Sequence, residues 1–159
     1  MMKKVLSVIL SMVMVVGTLG MTGVNDSHTV FAATNVALGK KVTCSSYLEG
    51  YEPTYAVDES KDTKWVSKAA DNQYITVDLG KEYIVGTVIL LWGEEYPSEY
   101  SVYWAGENGK FQEAVIWGGA PNAERIHMMY NRSIRYIRIK CNERGTTQGI
   151  SLYDLQVMA

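Results

Sequence analysis

Alternation of apolar side chains with a period of two recurs in short segments between residues 42 and 158, and no stretch sustains the 3.6-residue period of a helix. Val42, Cys44 and Ser46 share one face of a first strand. Ile75, Val77 and Leu79 share a face of a second, closed by Gly80-Lys81. Residues 85–91 are almost wholly apolar, as expected of a strand covered on both faces. Segments 100–105 and 111–117 flank Glu107-Asn108-Gly109, and Asn-Gly is a strong hairpin turn signal. Segments 125–129, 134–141 and 152–158 complete a set of about eight short strands with no helix between them, which argues for an all-β antiparallel sandwich or barrel. Polar loops are expected at 45–62, 93–99, 118–124 and 142–149, and no internal repeat or second domain is visible.

The first 32 residues have a different character. Lys3 and Lys4 precede an apolar run over 5–16 that only Ser7 and Ser11 interrupt; Gly17 to Gly20 end it. Val30-Phe31-Ala32 then offers short side chains at the −3 and −1 positions of a cut. This order predicts a secretory signal peptide over 1–32; as a membrane anchor the apolar run is near the short limit. The domain is then 33–159, secreted and extracellular. Removing Lys3, Lys4 and Asp26 leaves 13 basic and 16 acidic side chains, a charge of −3. That balance excludes the basic surface a nucleic-acid partner needs. Tyr outnumbers Phe by 11 to 2, which suits half-buried strands and wet binding surfaces. In an oxidising compartment Cys44 and Cys141 become a potential disulfide, with two buried free thiols as the alternative.

Catalytic signatures are missing. The chain has no nucleophile elbow, P-loop or dinucleotide fingerprint. His127 lies in a strand-like stretch with no Cys or His at zinc-ligand spacing, so it reads as a strand residue with a satisfied side chain. Glu94 and Glu95 are adjacent, so if the backbone there is extended their side chains diverge and do not form the facing pair of a glycosidase. The expectation is a binding domain, not an enzyme.

Several segments, in order, resemble discoidin domains, also called coagulation factor V/VIII type C domains, many of whose bacterial members are family 32 carbohydrate-binding modules. They are Asn35-Val36-Ala37-Leu38-Gly39-Lys40 with Val42-Thr43-Cys44-Ser45-Ser46, Ala56-Val57-Asp58, Thr63-Lys64-Trp65-Val66-Ser67, Ile75-Thr76-Val77-Asp78-Leu79-Gly80 and Val88-Ile89-Leu90-Leu91-Trp92. Tyr100-Ser101-Val102, Arg135-Tyr136-Ile137-Arg138-Ile139 and Ser151-Leu152-Tyr153-Asp154-Leu155 continue the likeness to the end. The resemblance implies an eight-stranded antiparallel jelly-roll β-sandwich.

It also implies a structural Ca2+ ion near the Asp-Gly-x-x-x-Thr-x-Trp element, which here runs from Asp58 to Trp65. Side chains of Asp58, Thr63 and Asp154 and carbonyls of Tyr55, Ser60 and Thr63 fall at the implied ligand positions; calcium prefers such mixed oxygens. Glu59 stands in place of the usual Gly, Ser60 in place of Asp or Asn, and Asp154 is shorter than the usual Glu. Without an ion, Asp58 would cap backbone amides of the turn.

Sugars in this family bind on loops at one end of the sandwich. Here those loops carry Tyr47, Glu49, Tyr51 and Glu52; Glu94, Glu95, Tyr96 and Glu99; and Glu143, Arg144 and Gln148. The implied ligand set is Glu49, Tyr51, Trp92, Glu94, Glu95, Tyr96 and Gln148, with Trp92 as either a wall of the site or core. Trp65 is expected in the core. Val66 replaces the His that galactose-binding members often place after the Trp. Carboxylates over aromatic rings suit an amino sugar best, with β-glucan as the neutral alternative. The partner is thus a polysaccharide or glycan, met by a monomer. The Glu-rich loops disfavour an anionic membrane. A cell-surface adhesion domain, or the N-terminal module of a longer secreted glycoside hydrolase, are the competing readings.

Overall fold

The structure is a computed structural model and describes residues 33–159. The expected signal peptide, 1–32, lies outside the described residues. Seven strands form: β1 (Lys41–Cys44), β2 (Trp65–Val66), β3 (Gln73–Trp92), β4 (Pro97–Ala105), β5 (Gln112–Trp117), β6 (Glu124–Arg144) and β7 (Ser151–Met158). A 3-10 turn over Pro53–Val57, started by Pro53, is the only helical element among the described residues. All pairings are antiparallel, in the order β2-β7-β3-β6-β4-β5, with β1 added to β3.

The count differs from eight because β3 and β6 each join two of the expected segments. Their pairing breaks between Asp78 and Tyr83 and again between Val85 and Thr87. Gly80, at φ +87°, makes the first bend, a left-handed conformation that suits a residue without Cβ. Each long strand therefore serves two layers. The first half of β3 pairs with β1 and the end of β6, which also carries β4 and β5; the second half pairs with β7 and the start of β6.

The alternation lands as its period requires. Ile75, Val77, Leu79, Ile137 and Ile139 point inward and are fully buried, as are Leu90, Leu152 and Leu155 of the other layer. Trp65 is fully buried, its indole N–H donating to the Ser46 carbonyl at 3.1 Å. The apolar run at 85–91 is covered on one face only: Val88 and Leu90 are buried, while Ile89 and Leu91 are half-buried. The Asn108-Gly109 turn joins β4 to β5, with Gly109 at φ +66°.

Cys44 and Cys141 are free thiols, which corrects the potential bridge. Cys44 pairs with Ile75 and Cys141 with Gln73, so β3 runs between them. Two strand spacings put their Cα atoms about 10 Å apart, beyond the reach of a disulfide. Burial pushes the Cys141 thiol well above its ordinary range, so it stays protonated and inert.

Candidate functional site

Three loops and the short β2 converge on a groove of about 170 Å³ lined by Leu48, Tyr51, Lys64, Val66, Glu95, Gln148 and Gly149. Backbone bonds lace these segments together. The Leu48 amide donates to the Val66 carbonyl at 2.9 Å, and the Val66 amide to the Tyr51 carbonyl at 3.3 Å. The Ser151 amide and hydroxyl both donate to the Glu95 carbonyl, at 2.6 and 3.2 Å. The Ile150 amide donates to the Ser67 hydroxyl at 2.9 Å, drawing the β6–β7 loop onto the end of β2. Gly149 lies so close to the Ser67 carbonyl that a Cβ there would overlap it.

Lys64 Nζ stands 3.1 Å from Glu95 Oε2 and 5.5 Å from the centre of the Tyr153 ring. The Ser151 side chain, and then the Lys64 ammonium, hold the Glu95 carboxyl below the usual carboxylate range, although burial opposes them. Glu95 is therefore ionised at neutral pH. A neighbouring groove of about 320 Å³ shares Tyr51 and Lys64 and adds Gly50, Tyr55, Asp62, Thr63 and Tyr153. Tyr51 and Lys64 form the ridge between the two.

Of the residues expected to bind ligand, Tyr51, Glu95 and Gln148 come together. Glu49 and Glu94 are exposed and line neither groove, while Glu95 lines the first. Tyr96 is half-buried against the core, its ring pressed on Gly145. Trp92, expected as either a wall of the site or core, is core and leaves the ligand set. It ends a central strand facing inward, is fully buried, and packs edge-on against Tyr100 with ring centres 5.0 Å apart. Lys64, Leu48 and Val66 were not foreseen as lining residues. Two residues of β2 are too short to show alternation, and the one signal for Lys64 was a cation set among acidic loops.

Around the expected calcium ligands, Asp58 Oδ1 accepts from the Ser60 amide at 2.9 Å and Oδ2 from the Thr63 hydroxyl at 2.7 Å. Glu59 holds φ +57°, the left-handed backbone that the family's glycine supplies, and its carboxylate accepts from Asn35 Nδ2 at 2.9 Å. Asp154 is buried, with Oδ2 accepting from Gln156 and Oδ1 lacking a partner among the described residues. Burial pushes its carboxyl above the ordinary range, helped by the negative charges of Glu59 and Asp58. A cation would relieve both the orphaned oxygen and the repulsion. Among the described residues no three carboxylate, imidazole or thiol groups meet at one point, so hydroxyl and carbonyl oxygens would have to complete the shell.

His127 belongs to neither cluster. It is buried, and its Nε2 lies 2.8 Å from the Tyr100 hydroxyl. Burial pushes its pKa down to about 4, which keeps the imidazole neutral at pH 7.

Comparison with known proteins fixes the lineage. Chitosan-binding module 1 of a chitosanase/glucanase from Paenibacillus sp. IK-5 superposes with a TM-score of 0.75 and 30% identity, over 79% of this chain and 99% of that one. Module 2 of the same enzyme, solved with chitotriose, gives 0.74 and 26%, over 79% and 100%. The family 32 module of NanJ from C. perfringens, solved with galactose, gives 0.71 at 17% identity, over 80% and 98%, a likeness of fold alone. A search of curated proteins found no match. The model of the F5/8 type C domain matches residues 41–155, from the first strand to the last, and on that span the chain belongs to the F5/8 type C, or discoidin, family.

Proposed function

We propose that this chain is a secreted, non-catalytic carbohydrate-binding module, and that the Tyr51–Lys64–Glu95–Gln148 groove takes glucosamine-type oligosaccharides. The observation that carries the reading is that the Glu95 carboxylate and Tyr51 line one open groove. A pyranose offers an apolar face to an aromatic ring, and its hydroxyls bond to Gln148 and the carboxylate. A protonated amine adds a charge-assisted bond, the strongest single contact such a groove can make. Two chitosan-binding modules at 26–30% identity over nearly their whole length support the same ligand class. Val66, 7% exposed at the groove wall, leaves no imidazole for a galactose hydroxyl.

The reading includes a structural calcium held by Asp58, Thr63 and Asp154, with carbonyls of Tyr55, Ser60 and Thr63. It also includes export directed by residues 1–32. The ion would supply charge compensation and loop rigidity, no chemistry.

Calorimetry with a glucosamine trimer, a β-glucan and a galactan tests the ligand class. The trimer should bind best, and Glu95→Gln and Tyr51→Ala should each weaken it at least tenfold, the loss of about 1.4 kcal/mol. Equal binding of galactan, or full binding by both variants, contradicts the assignment while leaving the fold intact.

A further inference from the structure

The outward face of the first layer holds a second groove, of about 410 Å³, remote in sequence from the loop site. Pairing across β1, β3 and β6 sets its floor in two rows: Lys41, Asp78 and Tyr136, then Thr43, Thr76 and Arg138. The β4–β5 hairpin raises Phe111 as a wall, with its ring edge-on to Tyr136 and centres 6.4 Å apart. Three strands give the floor a width of about 10 Å.

Arg138 is fixed within it. Its Nε donates to Thr76 Oγ1 at 2.8 Å, and its guanidinium carbon lies 4.2 Å from the Phe111 ring centre and 4.8 Å from that of Tyr74. A guanidinium clamped in one plane presents its remaining N–H groups in a set direction, the geometry that suits a carboxylate. The single carboxylate on the floor, Asp78, is already committed to Arg135, whose Nε and Nη2 lie 3.0 and 3.3 Å from its oxygens. Its low pKa follows from that pairing, with Lys41 adding a smaller share. Lys41 and Arg138 thus leave the groove positive on a chain of net negative charge.

We propose that this face is a second glycan-binding site and that its ligand is an acidic polysaccharide bearing uronate carboxylates. The sugar lies along the sheet face against the edges of Phe111 and Tyr136, whose rings carry Arg138 and Arg135 at 4.2 and 5.0 Å, and its carboxylate is taken by Arg138 and Lys41. The loop groove and the sheet face then select opposite charges and can be filled together.

Affinity electrophoresis and calorimetry of the full chain with oligogalacturonate, neutral galactan oligomer and glucosamine trimer test this. Oligogalacturonate should bind, and Lys41→Gln and Arg138→Gln should each weaken it at least fivefold while glucosamine-trimer affinity stays within twofold. Glu95→Gln should do the reverse, and saturating trimer should not displace oligogalacturonate. Lys41 is exposed on a short strand, so that variant reports even where Arg138→Gln folds poorly. Absence of oligogalacturonate binding, equal binding of neutral galactan, or its loss in Glu95→Gln overturns the proposal. Absence of oligogalacturonate binding leaves the assignment of the loop groove untouched, whereas its loss in Glu95→Gln would place the acidic ligand in that groove.

Discussion

Lys64 places its ammonium 3.1 Å from Glu95, where the amine of a bound glucosamine would seek its own partner. On the proposed reading it would compete with the ligand for Glu95. Partly exposed ion pairs are worth about 0.2–1 kcal/mol, so Lys64→Met should tighten glucosamine-trimer binding about two- to fivefold. Calorimetry on the variant reads this directly, and weaker binding would mean that Lys64 holds the sugar instead. His127 gives the second residue-scale prediction. Its folded pKa, about 4, lies below the unfolded value of 6.5. The neutral ring therefore contributes fully above pH 6.5, and that contribution is lost as pH falls through 4. At 1.36 kcal/mol per unit the loss approaches about 3 kcal/mol. Asp154, raised by burial, has the opposite sign and offsets part of it. Urea unfolding between pH 7 and 4 should show a shallower fall for His127→Gln than for the parent.

At the scale of elements, the period of two placed the inward faces of most strands, the Asn-Gly signal placed the β4–β5 hairpin, and the apolar run at 85–91 placed a strand but suggested one covered face too many. The boundaries between strands were not legible, because Gly80 bends β3 without ending it and β6 continues through Tyr130 and Asn131 in left-handed conformation. The site was legible in part. Tyr51, Glu95 and Gln148 followed from the loops that the family uses, but which loop side chains turn inward depends on backbone bonds between distant segments, such as Ser151 to Glu95. Trp92 stayed open between site wall and core because the end of a central strand adjoins the loop site; its alternation directs the ring into the core. Gly149 follows from the same contacts: Gly149→Ala must push the β6–β7 loop off Ser67. It should cost about 1–3 kcal/mol and weaken trimer binding, with unfolding and calorimetry as the two readouts.

For the molecule as a whole, the sandwich carries its loops on a core of fully buried Trp, Ile, Leu and Val side chains, and the proposed ion would tie the loop of Asp58 and Thr63 to Asp154 of β7. A site filled at a hundredfold excess over Kd adds about 2.7 kcal/mol. Stripping calcium with EDTA should lower the Tm by several degrees, Asp58→Ala should abolish that dependence, and an unchanged melting curve would remove the ion from the account. The central claim, that charge on the sugar is what the loop groove reads, is tested most directly by a matched pair. Glucosamine trimer and its fully N-acetylated counterpart differ in the amine alone, and calorimetry at low and high salt compares them. The account predicts at least tenfold tighter binding of the free amine at low salt, since charge-assisted bonds are worth about 1.5–3 kcal/mol, with the gap narrowing as salt screens the attraction. Equal affinities, or a preference for the acetylated trimer at both salt concentrations, would contradict it.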